Sequence, residues 1–308
     1  MRIIDAHVHI YEHLSGYCGM GEYRPLGNGR ARLACTDQVS MPFDPVFGDK
    51  GVSAENMLAF MDSHGIEKAI LMQGPAFGFQ NEYYMETQQK YPDRFLGTAV
   101  LDPFYVHFDE VLDRLVNGLG YKNFKFEVSD TGGMCGYHDA DMLWNHPNLM
   151  KVIRELDRIG GTVAFDIGAP GTASHRTDVL KRMVEEAPGA HFVICHLLCM
   201  TPDQDELLKK EMDMLDYPNV WYDLSALPTF TQEHAPFTTA RRYLKTAREL
   251  AGAERLIWGS DMPMTLCGAP HHDYAFEELV SVVTEAQLFT QEELVQVFHG
   301  NALAAYRH

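Results

Sequence analysis

The chain has 308 residues, of which 46% are hydrophobic and 22% are charged, and its formal net charge at pH 7 is −18. This excess of carboxylates argues against binding to nucleic acid or to anionic membranes, because both attract Lys and Arg. The length is compatible with two average domains, or with a single eight-stranded barrel of about 250 residues plus insertions.

The first ten residues predict a buried β-strand that carries two histidines near its end. Ile3, Ile4, Ala6, Val8 and Ile10 are apolar on both faces of this strand, which is typical of a parallel sheet covered on both sides. The two histidines, His7 and His9, are two residues apart and therefore point to the same side. This spacing suits two ligands of one metal ion, although polar alternation on a half-exposed strand would produce it as well.

Residues 11–51 are rich in Gly and Pro and are too long for an ordinary connection within a compact domain. We expect a functional lid over the end of the first strand, or a disordered loop. The segment contains Arg24, Arg30 and Arg32, which are suited to holding a carboxylate substrate. The alternative is that all three arginines are solvated surface charges.

Helical and strand patterns alternate after residue 51. Ser53 is a plausible N-cap for the first helix, and Thr201-Pro-Asp-Gln204 has the pattern of a helix start, with Thr as the cap. Further strands are predicted at residues 68–72, 95–101, 122–128, 162–166, 193–196, 220–224 and 255–261. Further helices are predicted at residues 81–90, 107–117, 147–159, 175–187, 237–250 and 274–286, and a last one opens at Thr290.

Eight strands, each followed by a helix, predict parallel pairing with right-handed crossovers. We therefore expect an α/β fold, a (β/α)8 TIM barrel with a long insertion after the first strand, as one domain over residues 1–308. The sequence has no glycine-rich nucleotide-binding motif, which argues against a nucleotide-binding fold. In such barrels the chemistry lies at the C-terminal ends of the strands.

Polar residues stand at several of the predicted strand ends. Asp166, His196 and Asp261 each close an apolar run, so they are expected to share one face with the two histidines of the first strand. Glu127 closes another strand and needs a partner there, because a buried carboxylate is costly without one. That partner is a metal, a substrate or simply Lys125, which shares its face of the strand.

The motifs at these strand ends resemble the amidohydrolase superfamily, in particular its amidohydrolase-2 branch, which is similar to aminocarboxymuconate-semialdehyde decarboxylase. The resemblance covers nearly the whole chain. It is carried by Ile4-Asp-Ala-His-Val-His9, Asn81 with Tyr91-Pro-Asp-Arg-Phe95, Lys125-Phe-Glu127, His196, Gly259-Ser-Asp-Met-Pro263 and Gly300-Asn-Ala302. The first motif and Gly-Ser-Asp-Met-Pro are the specific ones.

The resemblance implies one divalent metal ion, most often zinc and otherwise manganese, held by His7, His9, Asp261 and a residue of the fifth strand. It implies that His196 stands beside the metal as an acid or base, with Asp261 as the second catalytic group. The family's fifth strand usually ends in His, whereas this chain has Asp166 there. Asp166 either replaces the imidazole as a ligand, or the metal is held weakly, or it is absent as in some lactonases of this branch.

Three functions fit this site. A metal-activated water would hydrolyse an ester, lactone or amide of a small, carboxylate-bearing substrate. The same groups suit decarboxylation or hydration of an unsaturated or aromatic carboxylic acid. A barrel that has lost catalysis and acts only through binding is the third interpretation, and the Asp166 departure is the observation in its favour.

The remaining expectations concern substrate contacts, location and partners. Among the histidines in loops after strands, the pair His271-His272 is the best candidate for substrate contact, with His271 as its first choice. The six cysteines lack C-x-x-C spacing, which favours reduced thiols. We find no signal-peptide pattern and no apolar run long enough to cross a bilayer, so we expect a cytoplasmic protein without nucleic-acid or membrane partners. The resemblance further implies a homodimer.

Overall fold

The computed structural model describes residues 2–27, 30–34, 36, 39–40, 51–130, 132–266 and 270–308. Its strands, in chain order, are β1 (Ile3–Val8), β2 (Tyr17–Cys18), β3 (Gly21–Gly27), β4 (Arg30–Leu33), β5 (Val39–Ser40), β6 (Ile66–Leu71), β7 (Phe95–Gly97), β8 (Asn123–Glu127), β9 (Thr162–Asp166), β10 (His191–Ile194), β11 (Val220–Asp223) and β12 (Leu256–Ile257).

Eight of these strands form a closed parallel barrel. One sheet has the order β1-β6-β7 and a second has the order β8-β9-β10-β11-β12. Parallel bridges join the two sheets on both sides, from Val8 to Met262 and from Ala99 to Phe124. The predicted (β/α)8 barrel is therefore confirmed, with strands shorter than the sequence pattern suggested at both β7 and β12.

Helices cover the outside of the barrel between the strands. Their bounds are Ala54–His64, Asn81–Lys90, Phe108–Asp113, Ala140–Trp144, Pro147–Ile159, Thr177–Glu186, Asp205–Met214, Leu227–Phe230, Thr238–Ala251, Phe276–Thr284, Gln291–Val295 and Asn301–Ala305. π-helical turns continue two of them, at Arg114–Gly118 and Gln296–Gly300. Within the described residues, no helix is long and apolar enough to cross a membrane.

Two local predictions were wrong. The helix predicted to start at Thr201 begins instead at Asp205. Asp203 has a left-handed φ of +65°, which interrupts the helix, and Gln204 Oε1 accepts a hydrogen bond from the Thr201 N–H. The described part of the segment 11–51 is also no open loop. Strands β2 to β5 pair there as a small antiparallel sheet.

The barrel interior is divided between an apolar lower part and a polar upper part. Ile4, Ile70, Val193 and Trp221 belong to a buried cluster that also contains Tyr306 from the C-terminal segment. Two hydrogen bonds between Asn123 and Arg307 fix that segment at the bottom of β8. Polar residues accumulate at the opposite, C-terminal ends of the strands, which is where a TIM barrel carries its site.

Candidate active site

His7 in β1 and His9 just after it both direct Nε2 into the barrel. The Nδ1–H of His9 donates to the carbonyl oxygen of Met72 over 2.7 Å. The Nδ1–H of His7 donates to Asp223 Oδ2 over 2.6 Å. Because each Nδ1 is engaged, the lone pair available for a ligand lies on Nε2 in both rings.

Asp261 approaches these two nitrogens from the last barrel strand, at the point where the Val8–Met262 bridge closes the barrel. Its Oδ1 lies 3.0 Å from His9 Nε2 and 3.6 Å from His7 Nε2. The backbone N–H of Asp261 donates to the His7 carbonyl, and its φ of +60° turns the side chain toward the strand-1 pair. His7, His9 and Asp261 thus form a group whose ligand atoms all lie within 4.8 Å of one another.

The protonation of this group suits a divalent cation. Burial, followed by the nearby charge of Lys125, lowers the pKa of His7 well below its usual value, so its imidazole is neutral. Neutral imidazole and carboxylate are the forms that bind zinc or manganese. The residues present therefore fit the metal that the sequence motifs imply.

Asp223, at the end of β11, is a functional residue that the sequence reasoning missed. Its carboxylate is completely buried, and burial raises its pKa to about 6. Its hydrogen bond to His7 is the carboxylate–imidazole arrangement that orients metal-binding histidines. The signal was present in the sequence, because the strand Val-Trp-Tyr-Asp223 ends in a carboxylate like its neighbours.

His196 is held at both ring nitrogens. Its Nδ1–H points to the carbonyl and hydroxyl oxygens of Ser225, at 3.2 and 2.9 Å. Its Nε2 lies 3.5 Å from Asp166 Oδ2. Burial alone would lower the pKa of His196, but the interaction with Asp166 and the nearby carboxylates outweigh it and raise the pKa to about 9.

An unusual backbone turn carries His196. Four successive residues, His196 to Cys199, have φ between +46° and +65°, which is one turn of left-handed helix without glycine. Each such residue costs about 1–2 kcal/mol relative to a right-handed conformation. The buried surroundings of this turn, in which all four residues are inaccessible or nearly so, hold it in place.

Asp166 lies beside His196 rather than in the metal-ligand group. Its Oδ1 accepts hydrogen bonds from the Gly168 N–H and the Cys199 thiol. Burial opposes its ionisation, yet the interaction with His196 lowers the pKa of Asp166. Among the described residues, possible ligand atoms converge in two groups, His7 with His9 and Asp261, and His7 with His196 and Asp223. Asp166 belongs to neither group, so its role as a ligand stays a prediction.

Lys125 and Glu127 stand on β8, across the cavity floor from these groups. Lys125 is 1% exposed, and its Nζ lies 3.5 Å from His7 Nε2 and 3.7 Å from Glu127 Oε2. The Glu127 carboxylate fits between Gly74 and Gly132. A Cβ added to Gly74 would lie 1.9 Å from Glu127 Oε2, and a Cβ added to Gly132 would lie 2.8 Å from Glu127 Oε1. Burial, together with Asp166 and Asp261, raises the pKa of Glu127.

Most of these groups border a cavity of about 260 Å³ at the C-terminal end of the barrel, whereas His7 and Asp223 lie behind its described lining. Its described lining consists of His9, Cys18, Met20, Tyr23, Ala76, Phe77, Lys125, Glu127, Gly132, Asp166, His196, Thr229, Phe230, Asp261, Met264 and His272. Phe77 stacks on His9 with ring centres 4.6 Å apart, and Phe230 lies 5.1 Å from the His196 ring. The cavity therefore combines a polar floor with aromatic walls.

The segment 11–51 reaches this cavity through apolar side chains. Cys18, Met20 and Tyr23 belong to its described lining, whereas none of Arg24, Arg30 and Arg32 does so in the same part of the chain. Arg24 and Arg32 face each other across the β3–β4 pair, and Arg24 is exposed. The segment thus contacts the site, while contact between an arginine and substrate stays a prediction.

Of the two adjacent histidines predicted in the loop after Asp261, one borders the cavity. His272 belongs to the cavity lining, and its Nδ1–H donates to the Met264 carbonyl oxygen. The ring of His271 lies 5.8 Å from the His234 ring, and its carbonyl accepts from Thr229 Oγ1. Sequence alone could not separate two adjacent histidines in a loop.

A closed parallel barrel whose strand ends gather three imidazoles and several carboxylates around one cavity defines an enzyme that works at its C-terminal face. The sequence profile of the amidohydrolase-2 family, described as amidohydrolase, matches residues 4–308. The chain therefore belongs to the amidohydrolase family and is an enzyme of that family. No curated protein sequence matches it significantly.

Several solved structures share the fold. One, a probable 2-pyrone-4,6-dicarboxylic acid hydrolase from Acinetobacter baumannii with citric acid bound, is 18% identical, with 99% of each chain covered and a TM-score of 0.69. An amidohydrolase from Burkholderia multivorans with bound zinc is 15% identical, with 99% of each chain covered and a TM-score of 0.69. The 2,6-dihydroxybenzoate decarboxylase from Rhizobium is 17% identical, with 98% of each chain covered and a TM-score of 0.61.

Proposed function

We propose that this protein is a metal-dependent hydrolase that cleaves an ester, lactone or amide bond in a small, carboxylate-bearing substrate. The observation that carries the proposal is the convergence of His7 Nε2, His9 Nε2 and Asp261 Oδ1 at the cavity floor. These three residues would hold one divalent ion, zinc in the first place and manganese as the alternative. Asp166 remains the candidate for a fourth ligand.

A divalent ion bound there would acidify a water molecule and polarise a substrate oxygen. Asp261 is suited to accepting the proton that the attacking water loses, because within the described residues its Oδ2 makes no hydrogen bond. His196 is suited to donating a proton to the leaving oxygen or nitrogen, since both its ring nitrogens are held as N–H donors.

Substrate binding is assigned to the cavity walls and to the segment that covers them. Glu127 would accept a hydrogen bond from the substrate, because its carboxylate is 13% exposed and faces the cavity. Arg24, Arg30 and Arg32 are the candidates for a remote substrate carboxylate, and His271 and His272 lie in the loop at the rim. These assignments rest on position alone.

Decarboxylation of an aromatic carboxylic acid is the second candidate function. The rings of Phe77 and Phe230 support it, because they form two apolar walls above the histidines that would accommodate a planar ring. A structural neighbour is described as a 2,6-dihydroxybenzoate decarboxylase. In this reaction His196 or Asp261 would deliver a proton to carbon.

The test starts with elemental analysis of protein purified without chelator, followed by the same analysis of His7→Ala. We expect one divalent ion per chain in the wild type and loss of most metal and activity together in the variant. Unchanged metal content in His7→Ala would refute the ligand assignment. Turnover by fully metal-free wild type would support a metal-independent lactonase instead.

The choice between hydrolase and decarboxylase needs two assays on the same preparation. One follows ring opening of 2-pyrone-4,6-dicarboxylate and of simpler lactones and esters, and the other follows carbon dioxide release from 2,6-dihydroxybenzoate. We expect lactone or ester turnover to depend on added zinc. Carbon dioxide release with no hydrolysis of any tested compound would establish the second function in place of the first.

A further inference from the structure

Strand β8 divides its residues strictly between the inside and the outside of the barrel. Phe124 and Phe126 point outward into the main hydrophobic core, whereas Asn123, Lys125 and Glu127 share the inner face. Asn123 bonds to the C-terminal segment at the bottom, and Glu127 reaches the cavity at the top. This alternation places a lysine in the middle of the interior, next to the candidate metal ligands.

The ammonium group of Lys125 is poorly satisfied by the protein. It has three N–H donors, but its nearest acceptors in the described chain are His7 Nε2 at 3.5 Å and Glu127 Oε2 at 3.7 Å. Both distances exceed those of a good hydrogen bond. In the proposed metal site the Nε2 lone pair of His7 would bind the ion, which would leave Lys125 without this acceptor.

A buried ammonium with unused donors is costly unless something else accepts from it. Lys125 borders the cavity, so a molecule in the cavity is within reach of those donors. Lys125 is also the one Lys or Arg among the described residues that line the cavity.

We propose that Lys125 is a catalytic residue that donates hydrogen bonds to the substrate oxygen on which negative charge develops. This inference rests on the proposed function and names the class of group that enters the floor of the cavity: a single carboxylate or acyl group. When an oxygen nucleophile adds to the acyl carbon, the electron pair of the C=O bond moves to its oxygen, and Lys125 stabilises that oxygen. A second carboxylate of the substrate would have to bind elsewhere.

The competing explanation is that Lys125 only neutralises the buried carboxylates. The two roles differ in what they predict for ligands. A counter-ion stabilises the fold and is indifferent to what enters the cavity, whereas an anion-binding residue discriminates between charged and neutral ligands of equal shape.

The test is a calorimetric titration of the full chain with benzoate and benzamide, with and without added zinc. Wild type is expected to bind benzoate at least about tenfold more tightly than benzamide, and Lys125→Met to lose that preference. Lys122→Met is the matched control. Lys122 directly precedes β8, and its ammonium group donates a hydrogen bond to the His308 carbonyl, outside the cavity. The control should retain the preference.

A double variant, Lys125→Met with Glu127→Gln, removes both charges of the pair and guards against misfolding from an unpaired carboxylate. It should also lose the benzoate preference while keeping a wild-type circular dichroism spectrum. Equal binding of the two ligands by wild type, or a benzoate preference that survives in both Lys125 variants, would overturn the proposal. Because part of the titration is run without zinc, its outcome is separate from that of the metal proposal.

Zinc affinity and turnover, measured together on Lys125→Met, separate the loss of a substrate contact from the loss of the fold. Removing a positive charge 3.5 Å from His7 Nε2 should tighten zinc binding in Lys125→Met by at least about tenfold. Turnover of the lactone or ester identified for the wild type should fall by about 100-fold or more. Parallel loss of zinc affinity and turnover would instead mark Lys125 as a structural residue.

Discussion

A single hydrogen bond decides which nitrogen of His7 faces the cavity. Asp223 accepts from His7 Nδ1 at 2.6 Å, and both side chains are completely buried. The backbone N–H of Ser225 in turn donates to Asp223 Oδ1, which fixes the carboxylate. The same serine holds His196, so one short stretch after β11 orients two imidazoles of the site.

We expect Asp223→Asn to weaken zinc binding by about 10- to 100-fold, because the neutral amide orients and polarises His7 less well. The measurement is a zinc titration against a competing chromophoric chelator. Asp213→Asn, which neutralises an exposed carboxylate, should bind zinc like the wild type. Equal affinity in the two variants would mean that Asp223 has no part in the metal site.

His196→Gln should retain its metal while losing about 100-fold or more in kcat, the scale of general acid–base catalysis. The reason is that His7, His9 and Asp261 form a ligand group without it. Metal content and kcat are to be measured on the same sample. Loss of metal in step with activity would make His196 a ligand, and full activity would remove it from the mechanism.

The elements around the site differ in how far the sequence determines them. Strand ends that carry His or Asp after an apolar run predicted the positions of His9, Asp261 and His196, because parallel barrel strands all end on one face. The left-handed turn from His196 to Cys199 was not predictable, since it contains no glycine and depends on long-range packing. Pairing with Glu127 accounts for Lys125 at the level of sequence, so its proposed contact with substrate was not predicted.

The segment 11–51 illustrates a second limit of sequence reasoning. Gly and Pro predicted irregular structure, but β2 to β5 pair with each other through local hairpins. These strands show no alternation of hydrophobic and polar residues in the sequence, because much of this small sheet is exposed on both faces. A strand without a buried face has no period-two hydrophobic pattern by which it could be predicted. The contact of this segment with the cavity follows from its place after β1.

Gly16 joins this segment to the cavity wall. A Cβ on Gly16 would lie 2.0 Å from the Pro75 carbonyl oxygen and 2.3 Å from the Gly78 nitrogen, so Gly16→Ala must push the segment away from the turn that carries Phe77. We expect KM for the substrate to rise about tenfold or more, with zinc affinity unchanged. Gly118→Ala, where the nearest neighbour is a side-chain carbon at 3.6 Å, is the control. An unaltered KM would show that the segment does not shape the cavity.

At the scale of the whole molecule, a buried ion pair joins the outer helix Asp205–Met214 to the loop that follows β9. His175 Nδ1–H donates to the Gly168 carbonyl and Nε2–H donates to Glu211, both over 2.8 Å. Burial alone would lower the pKa of His175, but the hydrogen bond to Glu211 outweighs it and raises the pKa above its usual 6.5. The protonated form therefore stabilises the folded state.

A raised folded-state pKa means that this stabilisation is complete below the unfolded value of about 6.5 and disappears as the pH rises through the higher folded value. We expect the unfolding midpoint in urea to fall with rising pH in wild type, and the fall to be smaller in His175→Gln. His13→Gln, which changes an exposed histidine, should follow the wild type. Parallel curves for wild type and His175→Gln would contradict the assignment.

The junction between the first and last barrel strands also determines when the site is completed during synthesis. His9 and Asp261 are 252 positions apart in sequence, and the bridge from Val8 to Met262 closes the barrel between them. On the ribosome, the paired histidines emerge early and remain an incomplete chelate until the last barrel strand has left the exit tunnel. With the proposed metal site, loading would be a late event that coincides with ring closure, and the bound ion would link the first and last strands of the barrel.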